Sequence, residues 1–221
     1  MSKSGSYIFK EINDKLVFVG DFERFYQEDN DPWGQSASSE MSIYYQLSRQ
    51  RLMSILSTIK EKSMIVEVGC GLGYVTKLIS DEFPQNNNIV GLDISETAIN
   101  KAKLLFPDLK FICADITSPR FKYDFGHVRA NVVILNQLLW YILESLPNVM
   151  ANIYSTLEDD GFLIISNAFA REQRYGTEFI DHFHGAAHFF SKLDGFKLIH
   201  ACFYNDNEEH DDAHFLLKKC S

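Results

Sequence analysis

"VEVGCGLGYVTKLI", Val66 to Ile79, sets Gly69, Gly71 and Gly73 at alternate positions directly after an acid, Glu67, that is flanked by valines. Glycine loses more backbone freedom on folding than any other residue, so such a cluster marks a place where something must approach the main chain closely. "MIVEVG" reads as a short strand and "YVTKLISDEF" as a helix stopped near Pro84. The glycines therefore fall in a strand-to-helix turn.

Downstream the alternation continues. "NIVGLDI" is a strand, and "SETAINKAKLLF" is a helix with Ser95 as its cap. "KFICADI" is a strand, followed by a segment to Arg129 that reads mostly as loop. "ANVVILN" is so apolar that both its faces must be covered, and "ESLPNVMANIYSTLED" is a helix with Pro147 tolerated in its first turn. "GFLIISNAF" closes the series, and "GFKLIHACFYND" and "DAHFLLKKC" then form two β-like runs around the acidic "NEEHDD". Strand–helix alternation with unbroken apolar strands predicts an α/β fold, a Rossmann-like doubly wound sheet of seven strands that ends in an antiparallel hairpin. "NEEHDD" reads as a solvated hairpin loop.

Upstream, "SIYYQLSRQRLMSILSTIKEK" has apolar residues at helical spacing and predicts a helix over Ser42–Lys62. Residues 1–41 read as an irregular segment or lid with turn chemistry at "EDNDPWGQS", and residues 42–221 as the main domain.

In doubly wound sheets ligands bind beyond the carboxyl ends of the strands, where the glycine turn stands. A dinucleotide calls for G-x-G-x-x-G at this turn, yet Tyr74 holds the place of the third glycine and Glu67 would oppose a pyrophosphate. The same carboxylate suits a ligand with an ammonium or sulfonium group and no phosphate, such as S-adenosyl-L-methionine. Asp93 ends the second strand about twenty residues beyond the last glycine, where a carboxylate accepts both ribose hydroxyls. Asp115 ends the third, placed to bond an adenine amino group between Ile94 and Ile116.

These residues, with "VVILNQLLWYI" and "DGFLIIS", resemble the class I S-adenosylmethionine-dependent methyltransferases from about Ile65 to the last residue. The resemblance implies that Gly69, Gly71 and Gly73 line the methionine half of the cofactor near Glu67, and that Asn136 lies under it. "DNDPWGQSASS", "YYQLSRQR" and "RYGTEFIDHFHGAAHFF" extend a narrower resemblance, to the nodulation methyltransferase NodS and its bacterial relatives, over nearly the whole chain. That resemblance implies a small-molecule or saccharide acceptor and N-methylation of an amino sugar. Gln137 stands where those relatives usually carry a carboxylate, and an amide cannot serve as a base. O-methylation of a sugar, polysaccharide or small carboxylate is the alternative within enzymes. An inactive cofactor-binding partner subunit is the alternative outside them.

A general base is expected at His182 or His184, with water or Tyr175 as rivals, because imidazole exchanges protons near neutral pH. Trp33 reads either as an anchoring aromatic or as a cover over cofactor or acceptor, with Tyr44 and Tyr45 beside it; Tyr175 is counted with these acceptor contacts. Arg49 and Arg51 are either solvated or meet an anionic acceptor. Asp181, His184 and His188 have a metal-like spacing, but Gly185 weakens the helix and methyl transfer needs no cation, so no metal is expected.

The formal charge of −9 argues against nucleic acid and anionic membrane as partners. No apolar stretch approaches the roughly 18 residues of a membrane span, and the first residues lack a signal-peptide core. Cys70, Cys113, Cys202 and Cys220 are scattered without metal or disulfide spacing, and a reducing cytoplasm is the expected compartment. Oligomeric state is left open by the sequence.

Overall fold

The structure, a computed structural model, describes residues 6–36, 43–60, 63–85, 88–126 and 128–220. It begins with a β-hairpin, β1 (Phe9–Ile12) and β2 (Lys15–Phe18), and a helix, α1 (Phe22–Glu28). This corrects the expectation of irregular chain before residue 42. The hairpin turns at Asn13 and Asp14, both at positive φ (50° and 61°), a conformation that Asn and Asp tolerate and that matches strand twist. The strands are short and largely exposed, so their hydrophobic pattern is faint.

After α2 (Ile43–Thr58) the main sheet starts. The expected ends of this helix, Ser42, Glu61 and Lys62, lie outside the described residues. Near its end the Ser57 and Thr58 hydroxyls donate to the carbonyls of Ser54 and Ile55 (2.7 Å each), the second of these being among the last four carbonyls that the helix leaves open. Then follow β3 (Ile65–Val68), α3 (Tyr74–Glu82), β4 (Ile89–Asp93), α4 (Glu96–Leu105) and β5 (Lys110–Cys113). The loop to Arg129 contains one helical turn, α5 (Phe121–Asp124). The remainder is β6 (Ala130–Asn136), α6 (Leu146–Thr156), β7 (Leu157–Ala170), α7 (His182–Ser191), β8 (Phe196–Tyr204) and β9 (His210–Lys219).

The seven strands are ordered β5-β4-β3-β6-β7-β9-β8. β3 to β7 are mutually parallel, whereas β9 runs antiparallel between β7 and β8. The doubly wound sheet and its terminal hairpin are thus as the sequence predicts. Alternation along the strands sends side chains to two cores. Ile65, Ile89, Val132 and Ile134 meet Leu52 and Leu56 of α2 and Val75 and Ile79 of α3. Val66, Val90, Val133 and Leu135 meet Val149 and Ile153 of α6 and Phe190 of α7. Covering both faces explains why β3, β4 and β6 read as unbroken apolar runs.

The N-terminal unit is fastened to this sheet through α1. The Glu23 carboxylate accepts from the Ser95 hydroxyl (2.7 Å), the Thr97 amide (3.1 Å) and the Thr97 hydroxyl at the start of α4. Desolvation acts upward on this carboxyl, but the bonds from Thr97 and Ser95 outweigh it and hold it at about 2. Lys101 adds bonds to the carbonyls of Tyr26 (2.6 Å) and Asp29 (2.9 Å). Glu23→Ala is expected to lose about 1–2 kcal/mol of stability and to speed proteolysis within residues 9–28, read by urea melts and timed digestion. Because folding lowers this carboxyl's pKa, its contribution is present above about pH 4.5 and disappears as pH falls through about 2.

Candidate active site

β3 and β6 are adjacent at the centre of the sheet while their following helices diverge, which opens a crevice beyond the strand ends. A cavity of about 780 Å³ occupies it. Glu67, Asp93, Asp115 and Asn136 reach it from the ends of β3 to β6, together with Gly69 and Gly71. Ile94 and Ile116 form part of the same wall, and Trp33, Tyr44 and Tyr45 stand across from it. Six carboxylates line the cavity (Asp31, Glu67, Asp93, Asp115, Asp206 and Glu209), and among the described lining residues there is no lysine or arginine.

Asp93 is held in place by two backbone amides: Gly71 N–H donates to Oδ2 (2.8 Å) and Ser95 N–H to Oδ1 (2.9 Å). The Ile94 amide adds to these, and since a carboxylate has about four acceptor sites, part of its capacity is left for a ligand. Burial pushes the Asp93 carboxyl up to about 6, against the pull of those amides. Glu67 is deeper, accepts from the Thr76 hydroxyl, and is pushed by burial up to about 7, with the Arg49 charge acting downward. Asp115 accepts from the Thr117 amide (2.8 Å) and hydroxyl (2.7 Å). Gly71 is at φ 53°, and a Cβ there would stand 2.5 Å from the Tyr26 hydroxyl. Part of the close approach that the glycines permit is therefore by α1 itself.

At the other end Gln137 sits at φ 54° just past β6. Its Nε2 donates to the Tyr44 hydroxyl (2.6 Å) and its Oε1 accepts from Ala168 N–H (3.0 Å). Tyr44 in turn donates to Asp212 Oδ1 (3.4 Å). Buried Asp212 also accepts from Ser48 (2.9 Å), Arg51 (2.8 Å) and His214 Nε2 (2.9 Å). Burial raises the Asp212 carboxyl, but the His214 bond and the charges around it win and hold it below the usual range. Arg51 is thus bound to Asp212 and Asp206 beneath the cavity rather than solvated or facing an acceptor.

Several expected positions fall elsewhere. His182 and His184 do not line the cavity. His182, at φ 54°, turns to Asp181 (2.6 Å) on the outer surface, and His184 packs beside Phe183 and Phe203. Helix α7 covers a sheet face, which carries its first turn away from the strand ends. Tyr175 lies one layer out, 5.2 Å from the Phe9 ring and 6.1 Å from the Phe18 ring, because the β1–β2 hairpin stands between it and the crevice. Gly73 also lies outside the cavity lining: it begins α3 at φ 82°, and a Cβ there would meet the Phe111 ring at 2.6 Å. Conversely, the loop expected to be solvated supplies Asn207, Glu209 and His210 to the cavity. Its charge suggested water, and only the long antiparallel register of β9 against β7 brings it over the crevice. Among the described residues no three His, Cys, Asp or Glu come together as a metal site, and no helix is long and apolar enough to cross a membrane.

Residues 65–161 match the family described as "Methyltransferase domain". A malonyl-[acyl-carrier protein] O-methyltransferase of Bacillus cereus is 30% identical over 131 residues, covering 56% of this chain and 46% of that one. The chain thus spans about half the length of these curated relatives. The N-methyltransferase NodS of Bradyrhizobium japonicum, solved with S-adenosyl-L-homocysteine, superposes with a TM-score of 0.70 over 89% of this chain and 98% of that one, at 12% identity. The magnesium protoporphyrin IX methyltransferase of Synechocystis, solved with bound SAM, gives 0.62 over 90% and 95%, at 15% identity. At such identities these two likenesses establish the fold.

The raised Glu67 carboxyl has a measurable consequence. Folding raises its pKa from about 4.5 to about 7, so the stability it contributes is full below about pH 4.5 and lost as pH rises through 7. Glu67→Gln is therefore expected to raise the melting midpoint by roughly 5 °C at about pH 8 and to change it little at about pH 4.5. Scanning calorimetry at both pH values checks this.

Proposed function

We propose that this chain, whose residues 65–161 match the methyltransferase-domain family and whose fold is that of the class I methyltransferases, is an S-adenosyl-L-methionine-dependent methyltransferase acting on a small-molecule or saccharide amine, with the amino group of an amino sugar as acceptor. The observation that carries this reading is the arrangement of Glu67, Asp93 and Asp115 at three successive strand ends in one cavity beside the glycine turn.

Each residue has a role that follows from its chemistry. The remaining acceptor capacity of Asp93 takes the ribose hydroxyls, and Asp115 takes the adenine amino group with Ile94 and Ile116 against the ring. Gly69 and Gly71 let the methionine half lie against bare main chain. Glu67 faces its positive charge, which offsets the cost of burying that carboxylate. Asn136 lies beneath the cofactor, and Trp33, Tyr44 and Tyr45 wall the acceptor end.

The reaction is an in-line displacement. The acceptor's lone pair attacks the methyl carbon opposite the sulfur, and most of the acceleration comes from holding the two in line in the cavity. The acid-rich lining favours an amine, whose nitrogen turns cationic on methylation, over a carboxylate or phosphate acceptor, since no lysine or arginine among the described lining residues would neutralise an anion.

Titration calorimetry with S-adenosyl-L-homocysteine and with NAD tests the reading: heat with the first and none with the second is expected, and the reverse overturns it. Asp93→Ala is expected to weaken the first by at least about tenfold, the loss of charge-assisted bonds to ribose, with circular dichroism unchanged. In the intact protein, affinity for S-adenosyl-L-methionine is expected to fall from about pH 8 to about pH 6. Protonation of Glu67 and then Asp93 removes the carboxylates that the ligand needs.

A further inference from the structure

Methylation of an amine leaves the nitrogen with one proton too many, and the groups at the acceptor end differ in their capacity to take it. This point rests on the methyl-transfer reading above. Gln137 has no ionisable group. The Tyr44 hydroxyl is used at both ends, accepting from Gln137 and donating to Asp212, and burial raises its pKa further. Asp206 is ion-paired with Arg51 and its carboxyl is lowered by that partner.

His210 differs from all of these. It is the first residue of β9, and among the described residues that line the cavity it is the one imidazole. Its ring stands edge-to-face on the Tyr44 ring, with centroids 4.2 Å apart, and so lies beside the Gln137–Tyr44 pair rather than over the glycine turn. Its tautomer follows from its neighbour. Asn207 Oδ1 already accepts the amides of Glu209 and His210 (2.9 Å each), which orients Asn207 Nδ2 as a donor toward His210 Nε2 at 3.4 Å. The lone pair is therefore on Nε2 and the proton on Nδ1. At 3.4 Å that bond is weak, so a stronger donor displaces it.

We propose that His210 Nε2 accepts the proton released by the acceptor amine. The nitrogen lone pair forms the N–C bond while the C–S bond breaks and its electron pair stays on sulfur. The N-methylammonium then passes one proton to Nε2, leaving a neutral methylated amine and an imidazolium. Glu208, Glu209, Asp211 and Asp212 lie within two residues of it along the chain, and the Tyr44 ring packs edge-to-face against it. The nearby cations are compensated, Arg171 by Asp211 (3.4 Å) and Arg51 by Asp206 and Asp212.

The test is a histidine NMR titration of the full chain, labelled in its imidazoles, in two complexes. One holds S-adenosyl-L-homocysteine, and the other holds sinefungin, which bears an amine where the methyl group departs. The His210 resonance is identified by its loss in His210→Gln or His210→Asn. Sinefungin is expected to lower the midpoint of His210 by about half a unit or more relative to the other complex, since a like charge disfavours the imidazolium. Equal midpoints with both ligands bound overturn the role of His210 and leave the methyl-transfer reading standing. If neither ligand binds the unaltered protein, the methyl-transfer reading itself falls, and this proposal with it.

Discussion

Keeping the Glu67 and Asp93 carboxylates out of water at the ends of neighbouring parallel strands is the constraint around which this molecule is arranged. A buried carboxylate is costly unless hydrogen bonds or opposite charge meet it. Backbone amides of Gly71 and Ser95 hold Asp93, and the Thr76 hydroxyl with the charge of Arg49 serves Glu67. These supports do not bring either group back to its ordinary pKa. Under the proposed function a bound cation and the ribose hydroxyls would complete the compensation, tuning the site toward its ligand at the expense of the free protein's stability.

The same logic organises the opposite wall. Asp212 and His214 are buried on β9, and Ser48 and Arg51 come to them from α2. This network fixes the helix that carries Tyr44 and thereby the Tyr44–Gln137 pair at the acceptor end. The polar positions that face the cavity are few, and Glu67, Asp93, Asp115 and Tyr44 are each braced by a hydrogen bond from another residue.

Much of this was legible in the sequence because it is local. Unbroken apolar strands, the glycine turn and acids at the strand ends are each written within a dozen residues, and all three appear where expected. What escaped depends on contacts distant in sequence. His182 and His184 lie next to the fifth parallel strand in order, yet the packing of α7 on the sheet face carries them outward. His210 sits in an acidic run whose composition says solvent, and only the pairing of β9 with β7 brings it to the cavity. The β1–β2 hairpin had a signal, Asn13-Asp14 between alternating residues, but its strands are too short and exposed for that signal to stand out.

One topological detail bears on how the molecule comes to exist. β9 is the last strand in the chain and yet lies inside the sheet, between β7 and β8. While the polypeptide is being synthesised, β7 keeps a bare edge, and β8 has no neighbour to pair with until residues 210–219 emerge. The cavity wall that carries His210 therefore matures after the wall formed by the ends of β3 to β5. In that interval the exposed edge of β7 is where a nascent chain would join a wrong partner, an aggregation hazard that ends when the final strand slots in.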